Sequence, residues 1–306
     1  MYSKVLARPG RKGLRKRSIF PYVNGLGMIL LMFVTLYPVL NTLAISFNDG
    51  TDAVRGNIGL IPRVFSLKSY ETIFADEIIY NAFFITIART VVQTVLNVVF
   101  TSMLAFALSR REYVLRKVIT VAMVVTMYVN AGLIPNYLLI QNTLRLGRSF
   151  WVYIIPTMFS CFNMIVMRSY ILSLPDALVE SARIDGAGDL YLFWRIIFPL
   201  ILPVVATVAL FVAVGAWNSW FDTHLYNAGK VHLHTLQYLL KMKLATTSSS
   251  ANAAMTTTDA AASTTLTTPI TIRAAITVVS AAPIVMVYPF LQRYFVVGLS
   301  VGSVKE

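Results

Sequence analysis

The sequence is poor in the residues that metal and catalytic sites use. It contains one cysteine, Cys161, which excludes an intrachain disulfide, and only three histidines, with no cluster at metal-ligand spacing. The phosphate-cradling pattern G-x-x-x-x-G-K-[ST] and the metalloprotease pattern H-E-x-x-H are both absent. All three histidines follow one apolar segment, so no serine within the apolar segments has a histidine partner. We therefore expect no enzymatic activity, no metal site and no cofactor in this chain.

Charged residues are also scarce. They make up 13% of the chain, against 57% hydrophobic residues, and this composition is too apolar for an ordinary soluble domain. A bilayer crossing takes about 20 mostly apolar residues, and only helices or closed barrels satisfy backbone hydrogen bonds in lipid. The apolar runs are too long for barrel strands, so we predict an all-α membrane protein with one six-helix domain over residues 19–306. The predicted spans are Val23–Ser46, Asn81–Leu108, Val118–Gln141, Phe150–Leu172, Pro199–Phe221 and Ile270–Gln292.

The net charge of +13 could indicate a nucleic-acid partner, but its distribution argues against one. Lysine and arginine are concentrated in the tail 1–18 and in the linker between spans two and three, where Arg110, Arg111, Arg116 and Lys117 lie. Cytoplasmic segments of membrane proteins carry this excess. We therefore predict a basic cytoplasmic N-terminal tail, a cytoplasmic C-terminus and a multi-pass plasma-membrane location. The first apolar run is too long for a signal peptide.

The connection between spans four and five, residues 173–199, predicts two short helices. Ser173 is a candidate N-cap for a helix over Leu174–Ile184, and Asp176 would be its third helical residue. Gly186 can take the left-handed conformation that ends such a helix, and a second helical stretch runs from Asp189 into Pro199. The first helix would place three charged residues on one face: Asp176, Glu180 and Arg183.

A polar stripe follows span two. Arg89, Gln93 and Asn97 recur at i, i+4 and i+8 on an otherwise apolar helix. An arginine within a membrane is costly and normally faces a cavity or a partner. The stripe either lines a pathway for a hydrophilic solute or forms hydrogen bonds between helices, with Arg89 snorkelling to the outer interface.

The outer end of span five carries Trp217, Asn218 and Trp220. Aromatic residues at this depth form an interface belt or stack on sugar rings. Further polar candidates inside the spans are Asn130, Asn136 and Asn163, each of which is more typical of packing than of ligand binding. The predicted extracellular loop 245–268 consists almost entirely of Ala, Ser and Thr, so it has little to bury. His232 and His234, just before it, are interpreted as solvated loop residues.

Three stretches resemble one family. One stretch matches the spacing of the E-A-A loop in permeases of ABC importers. It consists of Glu180-Ser181-Ala182, then three residues, Gly186, nine residues and Ile196–Pro199. Ser181 and Phe198 are mild departures from the family pattern. Ala216–Phe221 and the ending Leu291–Lys305 resemble carbohydrate permeases related to the maltose-system subunit MalG. The resemblance is strongest to the LplC/YtcP-type branch of oligosaccharide permeases.

The resemblance implies a type I (MetI-like) importer permease in a bacterial membrane. Such a subunit pairs with a second homologous permease and two ATPase subunits, at times a shared ATPase, which carry ATP and magnesium. An extracellular solute-binding lipoprotein delivers the oligosaccharide, and the branch suggests acidic, uronate-containing substrates that could pair with Arg89. The residues expected to couple to the ATPase are Glu180, Ser181, Ala182, Asp185, Gly186 and Pro199.

Two other function classes stay open at this point. An ATP-independent secondary carrier would be driven by an ion, and proton coupling usually requires an intramembrane Asp or Glu, which the spans lack. A membrane scaffold or sensor would move no solute under any energy source.

Overall fold

The described part of the chain is helical throughout. A computed structural model describes residues 19–129, 131–254 and 268–301, and within these ranges the only β-type pairing is one isolated bridge between Asn48 and Phe65. The predicted all-α class is therefore confirmed. The basic tail 1–18, Asn130, residues 255–267 of the Ala/Ser/Thr-rich loop and residues 302–306 lie outside the described residues.

Fourteen α-helices are distinguished in the described ranges, together with short 3₁₀ and π segments. The first half contains α1 (Phe20–Ser46), α2 (Gly50–Val54), α3 (Lys68–Phe74), α4 (Glu77–Ser109), α5 (Arg116–Tyr128), α6 (Leu133–Leu138) and α7 (Cys161–Ile171). The second half contains α8 (Ala177–Ile184), α9 (Asp189–Tyr191), α10 (Phe198–Leu200), α11 (Leu202–Asn218), α12 (Phe221–Tyr226), α13 (Leu236–Ala254) and α14 (Pro269–Val301). The π segments are Leu139–Thr143 and Leu192–Ile197, and the 3₁₀ segments are Phe150–Tyr153, Ile155–Thr157 and Val231–Leu233.

Three of the predicted spans are continuous helices and three are broken. By length and composition, α1, α4 and residues Pro269–Val287 of α14 could each cross a membrane, and counting each bent pair of helices as one span gives up to six. The pair formed by Asp189–Leu200 and Leu202–Asn218 bends by 81°. Pro199 and Pro203 flank this bend, and neither can donate the backbone hydrogen bond that a continuous helix needs. Proline placement thus explains why this predicted span is bent.

The packing is organised around α4, which contacts α7 and α11, while α14 packs on α1 and α11. One hydrophobic core surrounds the C-terminal half of α4 and includes Leu108, Met167 and Phe193. A second core surrounds the N-terminal end of α4, where Trp217 and Leu236 are buried. These two cores define the two ends of the bundle that the candidate sites occupy.

The segment after α11 is more ordered than the composition predicts. Residues 245–254, expected to be the start of a loop, continue α13 as helix. The apolar residues Leu236, Leu239 and Leu240 at the start of α13 recur at i, i+3 and i+4 and pack in the second core. This spacing anchors the start of α13 in the second core.

Candidate functional site

The helix at the start of the 173–199 loop begins later than predicted. The α-helix starts at Ala177, and no side chain caps it. The Ser173 hydroxyl instead donates to the Tyr170 carbonyl at 2.7 Å, so the prediction that Ser173 is the N-cap is wrong. The reason is that α7 ends directly before this serine, and its terminal carbonyls compete for the hydroxyl.

The end of α8 is the turn that the sequence predicts. Gly186 has φ of +80°, a conformation that residues with a Cβ rarely adopt. The Gly186 N–H donates to the Arg183 carbonyl at 3.0 Å, and the Ala187 N–H donates to the Ala182 carbonyl at 2.9 Å. These two bonds form a Schellman motif, which satisfies carbonyls at the helix end and fixes the direction of the following chain.

One face of α8 is buried in the hydrophobic core, and the opposite face is exposed. Val179 and Ala182 are buried against the core that contains Leu192 and Phe193. Ala182 is therefore a packing residue rather than a contact residue in this chain. The other loop residues predicted to couple are exposed: Glu180, Ser181, Asp185, Gly186 and Pro199. Beside the turn lies an open cleft of about 530 Å³, which Ala182, Asp185, Gly186, Ala187, Gly188, Tyr191 and Ile196 line.

One further residue of this face escaped the sequence analysis. Ile184 is 87% exposed at the last position of α8. Single exposed apolar residues are common, but this one lies two residues before the Gly186 turn, on the exposed side of the loop. The sequence could have indicated this residue, because Ile184 is an apolar residue that does not lie on the buried face of the short helix α8.

Ion pairs join the 173–199 loop to the 110–117 linker. Arg111 pairs with Asp176 at 3.4 Å, and Arg183 pairs with Glu112 and, at 3.3 Å, with Asp189. The hydrogen bond from Arg183 lowers the pKa of Glu112, and the same contact raises the pKa of Arg183. The groups are largely exposed, so each pair contributes little stability and mainly fixes the relative position of the two segments.

The polar stripe of α4 is buried inside the bundle. Arg89 is 1% exposed, and its guanidinium forms an ion pair with both carboxylate oxygens of Asp222 on α12. It also lies 4.8 Å from the centre of the Tyr153 ring and donates to the Ser219 carbonyl at 3.4 Å. Arg89 therefore neither snorkels nor presents a free guanidinium to a solute in this conformation. An intramembrane arginine required a partner, and Asp222 is the partner that the sequence analysis missed.

The rest of the stripe makes two hydrogen bonds within α4 and one to the Ile155–Thr157 segment. Gln93 accepts from the Arg89 Nε at 3.4 Å. The Asn97 side chain donates to the Thr157 carbonyl at 2.8 Å and accepts from Thr101 at 3.4 Å. Of the two interpretations left open for the stripe, these contacts favour interhelical hydrogen bonding.

The aromatic residues after α11 differ in their surroundings. Trp217 is 6% exposed, and its indole N–H donates to the Ser280 carbonyl at 2.9 Å, so it holds α11 to α14. Asn218 is exposed and donates to the Val214 carbonyl at 3.0 Å. Trp220 is half-buried, with the Lys241 ammonium 5.0 Å from its ring centre. Asn218 and Trp220 are thus the members of this group that a solute could reach.

The remaining polar candidates are divided between interior and surface. Asn163 is buried on α7, where its backbone N–H donates to the Ser160 hydroxyl at 3.4 Å, whereas Asn136 is exposed on α6. His234, predicted to be solvated, is 4% exposed because its ring contacts the Ala228 carbonyl at 3.0 Å. His232 is exposed as predicted. No group of three His, Cys, Asp or Glu residues suited to a metal occurs in the described ranges.

Comparison with known proteins identifies the family. Residues 97–301 match the family "binding-protein-dependent transport system inner membrane component". The chain is 35% identical to the Bacillus subtilis polygalacturonan/rhamnogalacturonan transport system permease protein YtcP, over 90% of this chain and 95% of that protein. It is 32% identical to Protein LplC of the same organism, over 93% of this chain and 92% of that protein.

A solved structure has the same fold. A chain of a bacterial ABC transporter involved in the import of the acidic polysaccharide alginate is 29% identical, with a TM-score of 0.81, and the match covers 92% of this chain and 98% of that chain. The family match includes the 173–199 loop, α11 and α14. The chain therefore belongs to the family of binding-protein-dependent transport system inner membrane components.

Proposed function

We propose that the chain is the permease subunit of an ABC importer that moves an oligosaccharide into the cytoplasm. The observation that carries this proposal is the 173–199 loop: Val179 and Ala182 pack it on the core, Gly186 fixes its turn, and its exposed face adjoins an open cleft. A loop fixed in this way can transmit the movement of a docked subunit to α7 and α11 because its buried residues share one hydrophobic core with both helices. Glu180, Ser181 and Ile184 form its outward contacts.

The proposed assembly supplies what this chain lacks. ATP and magnesium bind to a pair of ATPase subunits, of which one docks on α8 beside the cleft. A second homologous permease completes the solute pathway, and an extracellular binding protein delivers the solute, as the family description implies. The proposed topology is a six-span chain in a bacterial plasma membrane with both termini in the cytoplasm, which places the 173–199 loop on the ATPase side. Basic residues in the 110–117 linker support this orientation.

The proposed substrate class is an acidic oligosaccharide. The relatives support it because YtcP is described as a permease for polygalacturonan and rhamnogalacturonan and the solved relative takes part in alginate import. Polygalacturonan and alginate both carry carboxylates. In this chain Arg89 is neutralised by Asp222, so the accessible groups for solute contact are Asn218, Trp220 and Lys241. Lys241 forms no ion pair with a carboxylate in the described ranges and could attract an acidic sugar.

A pair of substitutions at Gly186 tests the proposed coupling. In the transporter reconstituted with its partner subunits, Gly186→Val should break the dependence of ATP hydrolysis on the solute-loaded binding protein. The left-handed conformation costs a residue with a Cβ about 1–2 kcal/mol, and the helix end would shift to avoid it. Gly186→Asn is the matched control, because asparagine tolerates this conformation and should retain most of the coupling.

The measurements are binding-protein-stimulated ATPase activity and solute uptake into vesicles. Normal coupling in Gly186→Val would contradict the lever role of the loop. Uptake driven by an ion gradient with the ATPase subunits left out would instead favour a secondary carrier, and an absence of uptake under any energy source would favour a scaffold or sensor.

A further inference from the structure

A second cleft lies at the C-terminal end of α4, away from the Gly186 turn. Its volume is about 390 Å³, and it separates the end of α4 from the second half of the 173–199 loop. The apolar residues that line it are Met103, Phe106, Ala107, Leu190 and Phe193. The polar residues that line it are Arg110, Glu112, Tyr113, Arg183 and Asp189. The cleft is thus amphipathic: α4 and the 173–199 loop both supply apolar residues, and the linker and the loop both supply charged ones.

Arg110 is the cation of this cleft that forms no direct ion pair with a carboxylate in the described ranges. Arg183 is already paired with Glu112 and Asp189. The Arg110 Nε donates to the Ser109 hydroxyl at 3.2 Å, and the guanidinium lies 4.8 Å from the centre of the Phe106 ring. Burial, and next the nearby charge of Arg183, lower the pKa of Arg110. The more distant carboxylates of Asp176, Glu112 and Asp189 act on this pKa in the opposite direction. Arg110 thus faces the cleft without a direct ion pair in the described ranges, and a bound anion could form one.

The position of the cleft relative to the membrane indicates which kind of anion would bind there. Arg110 directly follows α4, an apolar helix long enough to cross a bilayer, so it lies at the membrane surface. Phe100, on the turn of α4 before Met103, is 47% exposed, and the apolar wall of the cleft thus continues onto the outer surface of the helix. Three more basic residues, Arg111, Arg116 and Lys117, lie in the same linker but outside the cleft, and they indicate only that the linker faces the cytoplasmic leaflet, which carries anionic lipid. Apolar chains on one side and positive charge on the other match a phospholipid with an anionic headgroup.

We propose that this cleft binds one anionic phospholipid from the leaflet on the side of the 110–117 linker. Its phosphate contacts Arg110, and an acyl chain lies against Met103, Ala107 and Phe193. Leu190 and Arg183 belong to the 173–199 loop, so the lipid touches the loop to which the ATPase is proposed to dock. The inference requires only the membrane location of the chain and is independent of the transported solute.

Add-back of lipid to the assembled transporter tests the site. The transporter, purified with its partner subunits and stripped of lipid in detergent, is titrated with phosphatidylglycerol, and native mass spectrometry counts the bound lipids. Arg110→Gln should weaken the tightest site about five-fold, since one basic residue near a membrane surface contributes about 1 kcal/mol to the binding of anionic lipid. The matched control is Arg116→Gln, which removes the same charge from the same linker outside the cleft and should leave this site unchanged.

A second variant tests the apolar wall without changing any charge. Ala107→Trp fills the cleft from an exposed position on α4 and should abolish the site while the transporter stays assembled. Phosphatidylcholine with the same acyl chains should bind equally to all variants, and inorganic phosphate should not displace phosphatidylglycerol. Three results would each overturn the proposal. They are equal weakening of phosphatidylglycerol binding by Arg110→Gln and Arg116→Gln, unchanged phosphatidylglycerol binding by Ala107→Trp, and displacement of phosphatidylglycerol by inorganic phosphate. Because the measured quantity is lipid binding, a failure of this proposal can be distinguished from a failure of the proposed transport function.

Discussion

The ion pair between Arg89 and Asp222 is asymmetric, and the asymmetry predicts the outcome of removing either partner. Arg89 is 1% exposed, whereas the Asp222 side chain is 21% exposed. Asp222→Asn leaves a buried cation whose remaining oxygen partners lie 3.4 Å away, on Gln93 and Ser219. Leaving a buried charge without its partner costs about 3–5 kcal/mol. We expect this variant to lower the apparent unfolding midpoint by on the order of 10 °C.

The reverse substitution should cost less. Arg89→Met fills the space with an apolar chain and leaves a carboxylate that is partly solvated. Asp222 still accepts from the Thr223 N–H at 2.9 Å and from the Ser219 hydroxyl at 3.2 Å. The expected loss is about 1–3 kcal/mol, the cost of an imperfectly satisfied polar group. The double variant Arg89→Met/Asp222→Asn carries no unpaired charge and should recover most of the stability lost in Asp222→Asn.

The assay is thermal unfolding of the full-length protein in detergent, at one fixed scan rate because unfolding of such proteins is commonly irreversible. Asp176→Asn is the control: it removes an exposed pair with Arg111, in which the side chains are 69% and 83% exposed, and should change stability by about 0–1 kcal/mol. Additive losses in the double variant would show that the two charges are not coupled and would refute the reasoning.

Uptake measurements on the same variants separate a structural role of Arg89 from a direct solute contact. If the ion pair only supports the fold, Arg89→Met should reduce uptake of an acidic and a neutral oligosaccharide by the same factor. A selective loss of acidic uptake at an unchanged unfolding midpoint would instead assign Arg89 to the solute pathway.

The other predictions concern three separate contacts. Arg183 lowers the pKa of Glu112, so their ion pair is fully formed above the ordinary carboxylate pKa and is lost as the pH falls through the lowered pKa. Spin labels on the 110–117 linker and the 173–199 loop should therefore separate at acidic pH, and Glu112→Gln should abolish that pH dependence. Trp217→Phe removes the indole hydrogen bond to the Ser280 carbonyl, which keeps its bond within α14, and should cost about 0.5–1.5 kcal/mol in thermal unfolding. Trp220→Ala should weaken oligosaccharide uptake without changing basal ATPase activity, and unaltered uptake would exclude stacking there.

The apolar spans could be located from the sequence because lipid imposes a local requirement. Each crossing needs a long apolar run with internally bonded backbone, and α1, α4 and the first part of α14 fall within a few residues of their predicted bounds. Gly186 could be assigned for a similar reason, since a left-handed helix end excludes most other residues. The spacing of the 173–199 loop around this glycine was sufficient to indicate the family.

Contacts between distant segments were decided only by the tertiary structure. Asp222 lies far along the chain from Arg89, and no periodicity links the two; they meet only because the chain after α11 returns to the Arg89 side chain. The prediction that Ser173 is an N-cap was wrong because its hydroxyl can bond either the next helix or the preceding one. In the folded chain it donates to the Tyr170 carbonyl at the end of α7. The exposure of Ile184 likewise depends on which surfaces the neighbouring helices cover. Local sequence restricts backbone conformation, whereas the partner of a buried charge depends on the free energy of the whole assembled bundle.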